Sequence, residues 1–330
     1  MASGGRLGVL LLHMGGPRSP AEVRPFLRRL FGDPQVIRLP SVARLPLAAA
    51  IAALRAPVAR RRYALIGGGS PAVAQVTALA AAVERELAAR GADAAVEPAF
   101  LYCGQDAVTA IDRLRARGAQ RWAAVAEYPQ WSATTTGASW RALDSAVAAR
   151  VAAVPSLSAL ARVRAWWEAP GFADAWAEVI SRALRERFPA GARPFLLFSA
   201  HGLPRSYVRR GDPYPDEIRR SAVAVAARFP ELRHGLAFQS RVGPVAWLGP
   251  DVVAEMRRLA AAGERDVVIV PISFLTDHLE TLVELDVELA AVAREAGVAR
   301  LVRPAPAAGS AHAARALAGA ALEAAAGRGS

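Results

Sequence analysis

Short apolar runs alternate with amphipathic stretches along most of the chain. The runs with the length and composition of buried strands are Leu7–His13, Ala94–Leu101, Trp122–Glu127, Phe195–Ser199, Gly235–Gln239, Val267–Ile272 and Arg300–Val302. Amphipathic segments typical of helices lie near residues 21–30, 76–90, 107–117, 172–187, 216–228, 252–262, 281–296 and 311–325. This alternation predicts an α/β protein in which parallel sheets are flanked by helices.

Two of the predicted strands end in the same short pattern. Val9–Pro17 and Phe195–Pro204 each run from an apolar strand into histidine, glycine and proline. We interpret this echo as two similar α/β halves joined near Ala148–Ala161. Ligands of such sheets bind beyond the carboxyl ends of the strands. We therefore expect His13 and His201 near the mouth of a cleft between the halves.

Composition and charge exclude some classes of protein. The chain has 330 residues, of which 53% are hydrophobic and 21% charged, so wholesale disorder is excluded. Its net charge is +12, and all 41 basic residues are arginine. Such a charge suits nucleic acid, an anionic membrane or an acidic small molecule. The arginines are scattered and no zinc-finger spacing or RNA-binding signature accompanies them, so we expect no nucleic-acid partner.

The cysteine content and the length of the apolar segments indicate where in the cell the protein is expected. Cys103 is the only cysteine, which excludes an internal disulfide and an iron–sulfur cluster held by four cysteines of this chain. The apolar run Leu7–Leu12 and the alanine-rich stretch Leu45–Leu54 are both too short to span a membrane, and no signal-peptide cleavage site follows the first. We expect a soluble, cytoplasmic protein, with peripheral contact at the inner membrane left open.

Among the five histidines, His201 has the context that points to chemistry. It ends the run Phe198–His201, and the glycine and proline that follow turn the chain and leave the imidazole at the strand end. His13 also follows a strand, but a hydrogen-bonded core histidine explains that position equally well. We interpret His234, at a strand start, and His312, in an alanine-rich helix, as structural or surface residues.

A row of carboxylates follows the strand that ends at Ile272. At about 100° per residue, the α-helical positions Asp277, Glu280, Glu284 and Glu288 fall within a stripe about 80° wide. One explanation is the solvated acidic face of an amphipathic helix. Repulsion between like charges four residues apart, and the location at a strand's carboxyl end, favour a functional explanation. Carboxylates opposite a neutral imidazole bind divalent metals and carry protons.

The sequence lacks the motifs of zinc hydrolases and of nucleotide-binding proteins. The sequence contains no HExxH pair, which zinc hydrolases need. The glycine-rich Ile66–Pro71 lacks the lysine of a phosphate-binding loop and the order of a dinucleotide fingerprint.

Ordered blocks make the chain similar to the ferrochelatase family. These blocks are Leu12–Pro17, Phe26–Ile37, Tyr63–Pro71, Tyr128–Gly137, Ser199–Pro204, Gly211–Pro215, Gln239–Pro244, Trp247–Pro250 and Asp277–Leu282. Each block is weak alone, but their order along the chain makes the resemblance specific.

The resemblance implies a chelatase-like fold of two similar Rossmann-like halves around a porphyrin cleft. The halves are expected over residues 1–150 and 151–307, with the final helix, about residues 308–330, packing back on the first. The implied lyase reaction inserts Fe²⁺ into protoporphyrin IX, releases two protons and gives protoheme, the last step of heme biosynthesis. Fe²⁺ is then a substrate, no permanently bound cofactor is expected, and the protein is a monomer or homodimer.

The resemblance leaves three alternatives to a protoporphyrin ferrochelatase. They are a chelatase for coproporphyrin III, a chelatase for another metal, and a porphyrin carrier that has lost catalysis. Retention of both a histidine and a glutamate at the expected positions argues against a carrier, which needs neither a proton acceptor nor a metal ligand.

The resemblance also implies roles for individual residues. The metal-binding and catalytic pair falls on His201 and Glu280, and a supporting acidic path falls on Asp277, Glu284 and Glu288. The positions implied to line the porphyrin are Met14, Tyr63, Tyr128, Trp247, Phe274 and His278, for which core packing is the alternative. Arginines 60–62, just before Tyr63, are candidates to hold the propionates, and a solvated basic turn is their alternative.

The chain departs from the family pattern at Ala99–Cys103. Leu101 stands where the family has an arginine near the pocket. The departure predicts a change in rate or porphyrin preference. Because His201 and Glu280 are retained, we expect an active enzyme.

Overall fold

The computed structural model describes residues 5–37, 39–241, 243 and 245–327, which form two compact units. The first unit contains the chain up to Tyr128, Ser132–Trp166 and the segment from Ala314 onward. The second contains Pro129–Trp131 and Trp167–Ala313. The first unit thus extends beyond residue 150, the predicted end of the first half.

The first unit is built on a four-stranded parallel sheet. Its strands, in spatial order, are β2 (Ala94–Phe100), β1 (Leu7–His13), β3 (Arg121–Ala126) and β4 (Ala161–Val163). Its helices are α1 (Val23–Gly32), α2 (Ser41–Ala64), α3 (Ala72–Ala89), α4 (Ala107–Ala116), α5 (Thr136–Arg150) and most of α11 (Ala311–Ala325). Every residue of β1 is buried, as expected for a parallel strand covered on both faces.

The last helix is hydrogen-bonded to other elements of the first unit. Arg90, after α3, donates from Nη2 to the carbonyl of Arg315 at 2.9 Å. Arg121, at the start of β3, donates from Nη2 to the carbonyl of Ala325 at 2.8 Å. The two bonds hold α11 near its beginning and at its end beside the elements of this unit.

The second unit repeats the strand order of the first. Its parallel strands, in spatial order, are β6 (His234–Gln239), β5 (Phe195–His201), β7 (Asp266–Pro271) and β8 (Arg300–Val302). Its helices are α6 (Phe172–Arg187), α7 (Arg205–Val208), α8 (Tyr214–Ala226), α9 (Val252–Ala261), a π-helix (Glu280–Leu289) and α10 (Ala290–Ala296). The equivalence of β1 and β5, each the second strand of its sheet and each ending in histidine, confirms the two similar α/β halves.

The helix predicted over residues 281–296 is not one α-helix. It consists of the π-helix Glu280–Leu289 followed by α10. A π-helix bonds each residue to the fifth rather than the fourth along the chain and is frequent at functional sites. The four-residue spacing of the acids is compatible with either winding, so the sequence pattern carried no signal of the difference.

The sequence reading missed α2, which contains the stretch Leu45–Leu54. This helix has 24 residues and, in the described part of the chain, is the one helix long and apolar enough to cross a membrane. Its buried residues are Ala48, Ala52, Ala56 and, near its end, Tyr63, and it packs against α1. The expectation that this segment is too short is therefore wrong, because the helix extends well beyond the alanine-rich stretch.

Candidate active site

His201 is held at the carboxyl end of the buried strand β5. Its backbone N–H donates to Ser273 Oγ at 3.1 Å, and the next N–H, of Gly202, donates to the Gln239 carbonyl at 2.8 Å. A Cβ on Gly202 would lie 2.7 Å from that carbonyl oxygen and 3.3 Å from the ring of Trp247. Glycine is required here because strand and ring approach the backbone so closely.

The imidazole of His201 faces a carboxylate. Its Nδ1 lies 2.8 Å from Glu280 Oε2, and 37% and 32% of the two side chains are exposed. The ring of Phe274 lies edge-on to His201 at 6.2 Å between centroids, and His278 packs against Phe274 at 4.3 Å. The pair is thus accessible at one side and bordered by aromatic rings.

The two partners shift each other's protonation. Enclosure by protein alone lowers the pKa of His201, but the charge of Glu280 and the hydrogen bond to it outweigh this, with a smaller contribution from Glu284, and the pKa is raised. Enclosure alone raises the pKa of Glu280, but His201 and, less strongly, His278 and Ser240 hold it well below its usual range. An ionised carboxylate therefore stays beside the imidazole as the imidazole gains or loses a proton.

Hydrogen bonds at the start of the π-helix hold the backbone of Glu280 in place. Its N–H donates to His278 Nδ1 at 3.1 Å, and the His278 N–H donates to Thr281 Oγ1 at 3.0 Å. Gln239 Nε2 donates to the Glu280 carbonyl at 2.9 Å, and Ser199 Oγ donates to Gln239 Oε1 at 2.6 Å. Burial lowers the pKa of His278, outweighing the opposite effect of Glu280 and Asp277. The Nδ1 atom of His278 thus accepts from the Glu280 backbone and helps to hold the start of the π-helix.

The other three acids differ in their surroundings. Asp277 is buried, and its Oδ1 accepts from Arg303 Nη1 at 2.8 Å and from Thr281 Oγ1 at 3.0 Å. Glu284 is half-buried and Glu288 is exposed. Asp277, just before the π-helix, is thus buried and compensated by an arginine, whereas Glu288 near the other end is exposed.

Comparisons with known proteins identify the family to which the chain belongs. The ferrochelatase family model matches residues 6–325. A ferrochelatase of Phenylobacterium zucineum is 42% identical over 308 residues, which is 91% of this chain and 86% of the relative. One of Gloeobacter violaceus is 39% identical over 297 residues, covering 88% and 89%. The chain belongs to the ferrochelatase family. It is an enzyme of heme synthesis, a lyase that inserts a metal ion into a porphyrin.

Solved structures agree on the chelatase fold. CbiX, described as the terminal enzyme of siroheme biosynthesis in denitrifying bacteria, matches with a TM-score of 0.50 at 16% identity, over 96% of this chain and 97% of that one. SirB from Bacillus subtilis, solved with Fe³⁺, matches with a TM-score of 0.54 at 14% identity, over 97% and 96%. At such identities the likeness shows the fold alone.

The residues that the ferrochelatase resemblance assigns to the porphyrin are divided between the units. Phe274 and His278 are half-buried beside His201, and the half-buried Trp247 packs its ring on Gly202. Within the described residues, the buried Nε1 of Trp247 has no hydrogen-bond acceptor. Contact of Trp247, Phe274 and His278 with a porphyrin stays a prediction.

The remaining assigned residues lie in the first unit. Tyr63 and Tyr128 are 7% and 9% exposed, and Met14 is half-buried. The Met14 N–H donates to the Tyr128 hydroxyl at 2.8 Å. His13 is buried, accepts from the Gly15 N–H at 2.8 Å and stacks on Tyr128 at 5.3 Å, so core packing accounts for it. Contact of Met14, Tyr63 and Tyr128 with a porphyrin stays a prediction.

The basic turn and the departure from the family also lie in the first unit. Arg60 donates from Nε to the Pro20 carbonyl at 3.0 Å, and Arg61 is exposed. Leu101 is half-buried and lines a cavity of about 280 Å³ that Phe100 also lines. The propionate role of the arginines and the effect of Leu101 stay predictions.

Sequence reasoning missed the polar residues that support the pair. Ser273 holds the His201 backbone, Gln239 holds the Glu280 carbonyl, and Arg303 compensates Asp277. Ser240 donates to Glu284. Gln239 and Ser240 fall in one of the blocks that carry the resemblance, and their place at a strand's carboxyl end was the available signal.

Proposed function

We propose that the enzyme inserts Fe²⁺ into protoporphyrin IX, releasing two protons and giving protoheme, with His201 and Glu280 as the catalytic and metal-binding pair. The observation that carries the proposal is the 2.8 Å contact between His201 Nδ1 and Glu280 Oε2 at an accessible strand end. Both groups are ligands for a divalent borderline metal, and both carry protons.

The contact with Glu280 supports different tasks for the two ring nitrogens of His201. When the imidazole is neutral, Nδ1–H donates to Glu280, which leaves the lone pair on Nε2 to accept a pyrrole proton. The imidazolium that forms is stabilised by the adjacent carboxylate, the same logic by which an acid orients and supports a catalytic histidine in hydrolases. The raised pKa of His201 makes it the stronger base that this task needs.

Glu280, Glu284 and Glu288 are proposed as an acidic path for iron and protons. They follow one another along the π-helix, from the half-buried Glu280 to the exposed Glu288. Carboxylates attract a divalent cation, and each accepts a proton when the metal leaves. Asp277 is proposed as an anchor of this path, because Arg303 already compensates its charge.

The preferred porphyrin distinguishes the proposal from its alternatives. The Gly-Leu-Pro that follows His201 and the Val-Gly-Pro that follows Arg241 support protoporphyrin. The test is anaerobic Fe²⁺ insertion followed by absorbance, with protoporphyrin IX and coproporphyrin III in parallel. We expect the higher kcat/KM with protoporphyrin IX. A higher value with coproporphyrin III assigns that substrate, and binding of either without insertion assigns a carrier.

We also propose that the enzyme holds no resident cofactor. Across the described ranges, no group of three or more histidine, cysteine or acidic side chains is arranged to hold a metal ion. The test is extensive dialysis against a chelator, after which Fe²⁺ insertion should resume on adding Fe²⁺ alone. Activity that returns only with a second metal or an organic group would contradict the proposal.

A membrane surface is the proposed partner of α1 and α2 in a cytoplasmic protein. Val42, Leu54 and Val58 of α2 are 83%, 78% and 60% exposed. The two helices contain three and five arginines and no acidic residue. Exposed apolar side chains on helices that carry arginines and no acidic residue suit a helix lying on an anionic bilayer, and the arginines within α2 oppose its crossing one.

The test is sedimentation with vesicles of neutral lipid with and without anionic lipid. We expect binding that requires the anionic lipid and weakens when Leu54 and Val58 are both changed to glutamine. The matched control is Val223→Gln, which replaces a 61% exposed valine on α8 of the other unit. Absence of vesicle binding, together with a dimer that the same double variant dissociates, would assign α2 to a homodimer interface instead.

A further inference from the structure

Ser240 occupies a backbone conformation that favours glycine. It directly follows β6, and its φ is +63°, the one positive φ of a non-glycine residue in the part of the chain that the structure describes. In this region the Cβ crowds the backbone, so a serine is less favourable than a glycine would be. Residues held in such conformations cluster at functional sites.

The Ser240 side chain explains why glycine is not used. Its hydroxyl donates to Glu284 Oε2 at 2.5 Å, the short distance of a hydrogen bond to an ionised carboxylate. The neighbouring Gln239 Nε2 reaches the same oxygen at 3.4 Å while donating to the Glu280 carbonyl at 2.9 Å. The end of β6 thus contacts both glutamates, which lie one turn apart on the π-helix.

We propose that Ser240 is a positioning residue for iron delivery, whose hydroxyl holds the Glu284 carboxylate next to Glu280 so that the two glutamates bind Fe²⁺ in succession. This inference rests on the proposed function of the His201–Glu280 pair. The left-handed backbone of Ser240 turns the chain after β6 and presents the hydroxyl to the π-helix. A long, flexible glutamate side chain is thereby kept in one orientation before the metal arrives.

The experiment separates the hydroxyl from the backbone by comparing Ser240→Gly with Ser240→Ala. Both remove the hydroxyl, but only alanine retains the Cβ that crowds this conformation. We expect kcat/KM for Fe²⁺ to fall roughly tenfold in both, the size of one hydrogen bond to a charged group. The KM for porphyrin should stay unchanged. The melting temperature should rise or stay constant with glycine and fall with alanine.

Two further variants test whether the effect passes through Glu284. Ser240→Asn should restore part of the iron kcat/KM, because asparagine tolerates the left-handed region and carries a side-chain donor. In a Glu284→Ala background, which leaves no side-chain acceptor at that position, Ser240→Gly should cause a smaller loss than it does in the unaltered protein.

Two outcomes overturn the inference while leaving the proposed function intact. One is a wild-type kcat/KM for Fe²⁺ in Ser240→Gly, and the other is an equal loss whether or not Glu284 is present. Failure of the unaltered protein to insert Fe²⁺ into any porphyrin would instead overturn the proposed function itself, and with it this inference.

Discussion

The pKa of the His201 imidazole is raised mainly by the neighbouring carboxylate of Glu280. Enclosure by protein would by itself make the imidazole a weaker base, and the carboxylate of Glu280, 2.8 Å from Nδ1, reverses that effect. The same contact fixes which nitrogen carries the proton in the neutral ring. This hydrogen bond therefore raises the basicity of His201. It also leaves Nε2 as the nitrogen that accepts a proton.

Removing the charge of Glu280 should lower the pKa of His201. In Glu280→Gln the enclosure is opposed only by the smaller effect of Glu284, so the imidazole should titrate at lower pH than in the unaltered protein. The measurement is an NMR titration of ¹³C-labelled histidines, with the His201 signal assigned by its loss in His201→Ala. An unchanged His201 midpoint would show that Glu280 does not control it.

At the scale of elements, Arg303 fastens the start of the π-helix to the end of β8. It donates from Nη1 to Asp277 at 2.8 Å, and from Nε and Nη2 to the two carboxylate oxygens of Asp286 at 2.8 and 2.7 Å. Its side chain is only 9% exposed. The planar guanidinium thus bridges residues on both sides of Glu280, which a lysine has no geometry to do.

Arg303→Met should destabilise the fold by about 3 kcal/mol, because it leaves the buried Asp277 carboxylate without its partner. Adding Asp277→Asn should recover part of that loss, since the uncompensated charge is then removed. Urea unfolding measures both. Arg294→Met is the control, on an exposed residue of α10, and should change stability by about 0.5 kcal/mol at most. Equal stability of Arg303→Met and the control would contradict the claim that Arg303 stabilises the fold through Asp277.

The acidic path predicts a graded response along the π-helix. Glu284→Gln should slow Fe²⁺ insertion more than Glu288→Gln, since Glu284 is half-buried beside Glu280 whereas Glu288 is exposed. Stability should change little or rise, because like-charge repulsion of roughly 0.2–0.5 kcal/mol per pair is relieved. The measurement is steady-state insertion at saturating porphyrin with Fe²⁺ varied, alongside a thermal melt.

Glu295→Gln serves as the control for these variants, because Glu295 is an exposed acid on α10 beyond the path. If the double variant of Glu284 and Glu288 inserted iron as fast as this control, both residues would be removed from the mechanism, leaving His201 and Glu280.

For the whole molecule, the sequence predicted what depends on local pattern. The echo between the ends of β1 and β5 predicted two similar halves, and both sheets have the same strand order. β4 escaped prediction because its three residues, Ala161–Val163, begin at the end of the stretch interpreted as the joint between the halves. α2 escaped because most of its large apolar residues are exposed and, apart from Tyr63 near its end, its buried residues are alanines, the reverse of the usual amphipathic pattern.

The candidate site shows the same limit. His201 and Glu280 were predictable because each stands in a distinctive block, His201 at the end of β5 and Glu280 in the helical segment that follows β7. Arg303 lies in none of these blocks. Ser240 lies in one, but its role depends on a hydrogen bond to Glu284 that only the folded structure shows. Arg303 in addition is one of 41 basic residues, all arginine, most of which are scattered over the surface.

The most direct test of the central claim is anaerobic Fe²⁺ insertion by His201→Ala, with porphyrin binding followed by fluorescence and folding by a thermal melt. The control is His234→Ala, which replaces an exposed histidine at the start of β6. We expect turnover at least about 100-fold below wild type in His201→Ala, with porphyrin affinity retained, because proton transfer by a positioned base contributes roughly 10²–10⁴-fold. His234→Ala should turn over like wild type. Turnover by folded His201→Ala above about a tenth of the wild-type rate would contradict the account.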